Sequence, residues 1–172
     1  RQWKRFLNAD FANLAEHHLR VAWLALIIAK YEHVKDTDKI LKMALVHDIA
    51  ESRTGDVDYL SRQYTKRDEE LGIKDILKDT GLENEFLELW HEYEKRESIE
   101  SKIVKDADTL DVDFELQEQK IRGAGLSDAL SQNREFVASN KIYTKTAKKM
   151  WDAVQNASPH DWHVKGRNRR NA

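Results

Sequence analysis

With 172 residues, 40% of them hydrophobic and 35% charged, the chain is long enough for one domain with a sizeable core. A formal net charge of −2 excludes an overall basic field for general nucleic-acid or membrane-surface binding and leaves a small molecule as the expected partner. The absence of Cys removes disulfides, thiolate nucleophiles and Cys-type zinc sites together, so His and carboxylates are the side chains left for a metal. The longest apolar run, Val21 to Ala29, has about half the length a bilayer requires and lacks signal-peptide flanks, so a cytoplasmic protein is expected.

One Pro and six Gly leave few helix breakers, and a 3.6-residue period runs from Leu14 to Ala157. The pattern predicts an all-α, single-domain bundle of about six helices, at 14–33, 37–51, 65–79, 82–97, 98–121 and 127–155. The one domain spans 1–172, with its core over about 3–157 and a short basic tail over 158–172.

In the first helix Leu14, Val21, Leu24, Ala25, Ile28 and Tyr31 form one stripe at about 100° per residue. His17 falls at its centre and His18 about 100° away, so the period selects His17. In the second helix Ile40 and Ala44 define a column that His47 and Glu51 continue, with Asp48 beside it. Ionisable groups on an apolar face are costly unless paired or metal-bound. A lone buried His reads more simply as a hydrogen-bonded core residue, but His-Asp-x-x-Glu on the same face shifts the weight toward a metal.

The loop 52–60 follows, and its Thr54-Gly55-Asp56 is a turn signal able to lean a side chain over the helix end. Phe86, Trp90 and Tyr93 face inward on the next amphipathic stretch but one, and His91 points about 120° away toward solvent. The fifth helix carries Lys105-Asp-Ala-Asp-Thr-Leu-Asp-Val-Asp113, with four candidate carboxylates. Ile103, Val104, Ala107, Leu110 and Phe114 set a face centred nearest Asp111, with Asp108 at its margin, so periodicity by itself prefers Asp111. Near the end, His160-Asp161 repeats the dyad after a Pro, without an apolar helical face to bury a metal.

A helical His, a His-Asp pair on a later helix and a distant Asp resemble the motif that names the HD superfamily of metal-dependent phosphohydrolases. Ala15-Glu-His-His-Leu19, Ala44-Leu-Val-His-Asp-Ile-Ala-Glu51, Thr54-Gly-Asp56 and Val104-Lys-Asp-Ala-Asp-Thr-Leu110 are similar, in order and spacing, to the branch that contains the 5′-deoxynucleotidases. That resemblance covers about Trp3 to Glu118. It implies that His17, His47, Asp48 and Asp108 hold one divalent transition metal, the last replacing the periodicity choice of Asp111. Two imidazoles and two carboxylates suit Mn, Co, Fe, Ni or Zn better than Mg.

The resemblance further implies catalytic or substrate roles for Glu51 and Asp56, and a substrate role for Trp3, fourteen residues before His17. An Arg commonly adjoins that Trp; here Gln2 precedes it, which leaves phosphate recognition to Arg5, Arg1 or a residue outside this sequence. With His91 the only His between the dyad and the last Asp, one metal is favoured over two. The expected activity is hydrolysis of nucleoside 5′-monophosphates, deoxy forms preferred, with no nucleic-acid or membrane partner. A triphosphate or signalling nucleotide as substrate, and a non-catalytic metal-binding sensor module, are the alternatives. Relatives are often dimers, and Trp23, Trp90 and Trp151 count as aromatic surface for a homodimer.

Overall fold

The computed structural model describes residues 11–58 and 60–166, whose regular structure is helical with no strand among them. The helices are α1 (Leu14–Tyr31), α2 (Thr37–Val46), α3 (Glu51–Thr54), α4 (Glu69–Leu77), α5 (Glu83–Lys95), α6 (Ile99–Ile121), α7 (Leu126–Asn140), α8 (Lys145–Asn156) and α9 (Asp161–Val164). None is long and apolar enough to cross a membrane.

Helix α1 starts with a capping box. The Asn13 side chain accepts from the amides of Ala15 and Glu16, and the Glu16 carboxylate accepts from the Asn13 amide at 2.8 Å. Such a cap contributes about 1 kcal/mol and fixes the phase of the helix, and with it the inward direction of His17. Val21, Leu24, Ala25 and Ile28 are buried as their spacing requires, but Tyr31 is 70% exposed. Tyr31 is the last residue of α1, and the helix that would continue its stripe stops at the Glu32 cap.

Helix α6 is the axis of the bundle and packs against α1, α2, α5, α7 and α8. Ile103, Val104, Ala107 and Leu110 on α6 meet Ile28, Ile40, Met43 and Tyr93 in one core cluster. Each fully buried aliphatic side chain there stabilises the fold by roughly 1.5–3 kcal/mol before ordering entropy is counted.

Two expected helices are divided. The second tightens after Val46: Ile49, Glu51, Ser52 and Arg53 donate to the carbonyls three residues earlier, at Val46, Asp48, Ile49 and Ala50. This 3-10-like winding carries the chain from α2 into α3. The sixth breaks at 141–144, because Asp106 on α6 accepts from the amides of Tyr143 and Thr144 at 2.8 Å each and from Thr144 Oγ1 at 2.7 Å. Thr144 Oγ1 in turn caps α8 by accepting from Ala147. A buried carboxylate thus supplies the amide partners that helical continuation would have given.

The tryptophans also divide. Trp23 is 63% exposed, whereas Trp90 is buried beside Tyr93 on the inner face of α5, and Trp151 is partly covered against the core. Of the aromatic surface expected for a dimer, Trp23 is the exposed member.

Candidate metal centre

His17 from α1, His47 and Asp48 from the tightened turn after α2, and Asp108 from α6 meet at one point, with one ligand atom of each within 4.8 Å of the others. His17 Nε2 lies 3.3 Å from His47 Nε2, 3.4 Å from Asp48 Oδ2 and 3.5 Å from Asp108 Oδ1, and His47 Nε2 lies 3.4 Å from Asp48 Oδ2. Adjacent ligands held at about 2.1 Å from a common cation are separated by ~3.0–3.4 Å, so these distances match the edges of a coordination polyhedron.

The far nitrogens decide which atoms face inward. His17 Nδ1 donates to Asp111 Oδ2 at 2.6 Å and His47 Nδ1 donates to the Ala44 carbonyl at 2.8 Å. Both Nε2 atoms are thereby turned toward the cluster, 3.3 Å apart, where each can offer a lone pair to a shared cation. Both rings are buried, at 0% and 2% exposure. The residues present fit a divalent transition metal by geometry and by donor type.

The carboxylates are ready for the same role. Burial opposes the charge of Asp48, but His47 and His17 outweigh it and hold the carboxyl down at about 2. Burial likewise opposes ionisation of Asp108, and Lys105, His47 and His17 bring it well below the ordinary carboxylate range. Lys105 Nζ lies 2.7 Å from Asp108 Oδ2, and Tyr93 Oη lies 3.5 Å from the same oxygen.

Asp111, the centre of the α6 face, is fully buried and is not among the four converging residues. It binds the back of His17 and is held from its other side by Arg20, with Nε 3.1 Å from Oδ1. Periodicity locates a fully buried carboxylate of the row but not the one that faces the cluster. Asp113 is engaged elsewhere, by Arg134 at 3.0 and 2.6 Å, and Asp106 holds the α7–α8 junction.

Glu51 opens α3 beside the cluster. Burial, then the charges of Asp48 and Asp56, push its carboxyl up to about 8, against the opposing pull of Arg67. Gly55 adopts a φ of 78°, open to Gly but strained for other residues, and this bend returns Asp56 toward Glu51. Arg67 pins the bend by donating to the Gly55 carbonyl at 2.7 Å and to Glu51 Oε1 at 3.4 Å, while also pairing with Glu69. Gly72 of α4 lets that helix approach α3 closely, since a Cβ there would stand 3.3 Å from Thr54 Cγ2. Sequence reasoning misses Arg67 because nothing in its neighbours shows that a loop Arg folds back twelve residues.

His18, set aside by the period, is partly buried with its ring 4.9 Å from that of His47, at the edge of the cluster. His91 packs against Trp90, and His160-Asp161 lies at the start of the short α9; neither joins the cluster. Trp3, Arg5 and Arg1 lie outside the described residues.

A profile of the HD domain family matches residues 1–151. The chain belongs to the HD-domain family. This HD domain is 36% identical over 111 residues to 5′-deoxynucleotidase HDDC2 of Bos taurus, covering 62% of this chain and 53% of that protein. It is 27% identical over 147 residues to 5′-deoxynucleotidase YGK1 of Saccharomyces cerevisiae, covering 80% of this chain and 66% of that protein. The HD chain thus spans about half the length of the HDDC2 relatives it matches. Among solved structures, a conserved hypothetical protein from Pyrococcus furiosus superimposes with a TM-score of 0.72 at 28% identity, covering 90% of this chain and 89% of that one. A protein described as a predicted metal-dependent phosphohydrolase from Magnetospirillum magnetotacticum shares the fold, with a TM-score of 0.66 at 21% identity, over 88% of this chain and 79% of that one.

Proposed function

We propose that this HD domain is a metal-dependent phosphohydrolase that cleaves nucleoside 5′-monophosphates, deoxy forms preferred, to nucleoside and phosphate. The observation that carries the reading is the set of two buried imidazoles and two carboxylates at coordination-edge separations, with the Glu51 carboxyl beside it. The resemblance to 5′-deoxynucleotidases supports the substrate class.

In this reading His17, His47, Asp48 and Asp108 hold one divalent ion, and Mn, Co, Fe, Ni and Zn all suit the donors. When bound, such an ion lowers the pKa of water toward neutrality and stabilises charge on phosphoryl oxygens. Glu51, beside the metal ligand Asp48 and oriented at Oε1 by Arg67, takes the proton of the attacking water. Asp56, beyond the Gly55 bend, assists the departing 5′ oxygen, to which the proton taken from water passes as the nucleoside leaves, or contacts the sugar. Trp3 and Arg5 complete the substrate contacts in the same reading.

The exposed Leu19, Trp23 and Ile27 on the outer side of α1 support a homodimer, and the Cys-free composition supports a cytoplasmic setting. The test is phosphate release from a panel of nucleoside 5′-monophosphates by Mn- or Co-loaded protein, with metal content measured in parallel. Orthophosphate from monophosphates is the expected product. Release of pyrophosphate or tripolyphosphate from triphosphates alone would move the site to another nucleotide, and full loading with no release from any nucleotide would leave a metal-binding module.

A further inference from the structure

At the end of α5 the backbone takes up a conformation that its residue disfavours. Arg96 caps the helix with φ 56° and ψ 30°, a left-handed conformation that Gly adopts freely and a long side chain adopts only when its surroundings hold it. What holds it is Tyr93. The Arg96 guanidinium carbon lies 3.2 Å above the centroid of the Tyr93 ring. That ring is a rigid platform, 1% exposed, edge-on to His47 and with its hydroxyl 3.5 Å from Asp108 Oδ2.

The backbone strain and the stacking therefore deliver a cation to the side of the metal cluster where Lys105 already pairs with Asp108 at 2.7 Å. Lys105 is matched by Asp108. Arg96 is not matched in the same way: Nη2 reaches Glu94 at 3.4 Å, a rim pair with the Glu94 side chain 44% exposed, and Nη1 is buried with no hydrogen-bond acceptor among the described residues. An exposed rim pair of that length contributes little, and a buried donor without an acceptor is costly. A planar fork with a free arm, preset on the ring whose hydroxyl stands 3.5 Å from Asp108 Oδ2, has the chemistry of an oxyanion receptor.

We propose that Arg96 binds the phosphoryl group of the substrate, its Nη1 donating to a nonbridging oxygen. The inference rests on the phosphohydrolase reading and adds to it a residue specific for the dianionic phosphate. It also assigns that recognition to a cation at the end of α5, besides any Arg near the N-terminus.

The test uses the full chain loaded with Mn, inorganic phosphate as the probe, and calorimetric titration of wild type, R96G, R96Q and R96K. Gly accepts a φ of 56°, so R96G removes the guanidinium while relieving the backbone. Expected are equal metal contents, a Tm for R96G no lower than wild type, phosphate affinity weaker by about tenfold or more in R96G and R96Q, and an intermediate value in R96K. With dAMP as substrate, KM rises by a similar factor in R96G and kcat falls less. A guanidinium that merely props Tyr93 would lower Tm and metal content while leaving phosphate affinity alone. Should R96G unfold, R96Q gives the same comparison. Phosphate affinity within twofold of wild type in the folded, loaded variant overturns the proposal. Wild type that binds phosphate yet hydrolyses no monophosphate removes the nucleotidase reading, and the titrations still decide Arg96; wild type that binds no phosphate removes both.

Discussion

Asp111 Oδ2 stands 2.6 Å from His17 Nδ1, joining α6 to α1 across ninety-four residues, and Arg20 holds the other oxygen at 3.1 Å. The carboxylate fixes the tautomer of His17, and so directs the Nε2 lone pair at the cluster. D111A should weaken metal binding by about 10–100-fold while leaving the four converging residues in the chain. Titration of the metal-free protein with Mn measures it, and an unchanged affinity would show that the His17 tautomer is set elsewhere.

Glu51 offers two separable readouts. E51Q should keep its metal and lose turnover by about a hundredfold or more. Its folded carboxyl is raised from 4.5 to about 8, so the folded state holds the proton more tightly than the unfolded chain. That contribution to stability is complete below about pH 4.5 and is lost as pH rises toward 8. Metal-free wild type should therefore lose stability relative to E51Q between about pH 5 and 8, as read by ~0.5-unit steps of urea midpoints. Parallel midpoints for the two proteins across that range would contradict the raised carboxyl.

Removing the metal should cost stability on its own, because it takes away the cation that two buried imidazoles and two carboxylates would share. At a thousandfold excess of metal over Kd the gain is about 4 kcal/mol, or a Tm rise of roughly 8–16 °C over the chelated protein. Scanning calorimetry with chelator and with Mn checks this, and coincident melting curves would mean that no ion binds the native state preferentially.

Gly55 tests the bend that carries Asp56. At φ 78°, and with nothing within 4 Å of the position a Cβ would take, G55A meets backbone strain but no clash. Stability should fall by about 1 kcal/mol, and turnover should fall further than metal affinity, since the strain is relaxed by moving Asp56 and not the four converging residues. Equal stability in urea would place the strain elsewhere.

Asp106 is structural by contrast. D106A leaves two amides and a hydroxyl at the α7–α8 junction without their acceptor, and should destabilise by roughly 2–4 kcal/mol with metal affinity per folded molecule unchanged. Chemical denaturation alongside metal titration separates the two effects.

The histidines show how far a single chain can be read. His17 and His47 interrupt single apolar stripes on helices with one buried face, so the period alone marks them as unusual, and the structure buries both. The helical class and most helix positions follow from the same regularity. On α6 this reasoning loses its reference, because helices pack around it and Asp106, Asp108, Asp111 and Asp113 are all nearly or fully buried. A carboxylate row without an exposed face has no margin to read.

Spacing along individual helices was enough for the all-helical class, the choice of His17 over His18 and the His-Asp-x-x-Glu turn, since each is a local regularity of the chain. Which α6 carboxylate meets the histidines, how Arg67 and Arg96 are directed, and where the last long helix breaks were left to the packed molecule. Those outcomes depend on groups brought together from distant parts of the chain, whose distances and directions are set by packing and not by period.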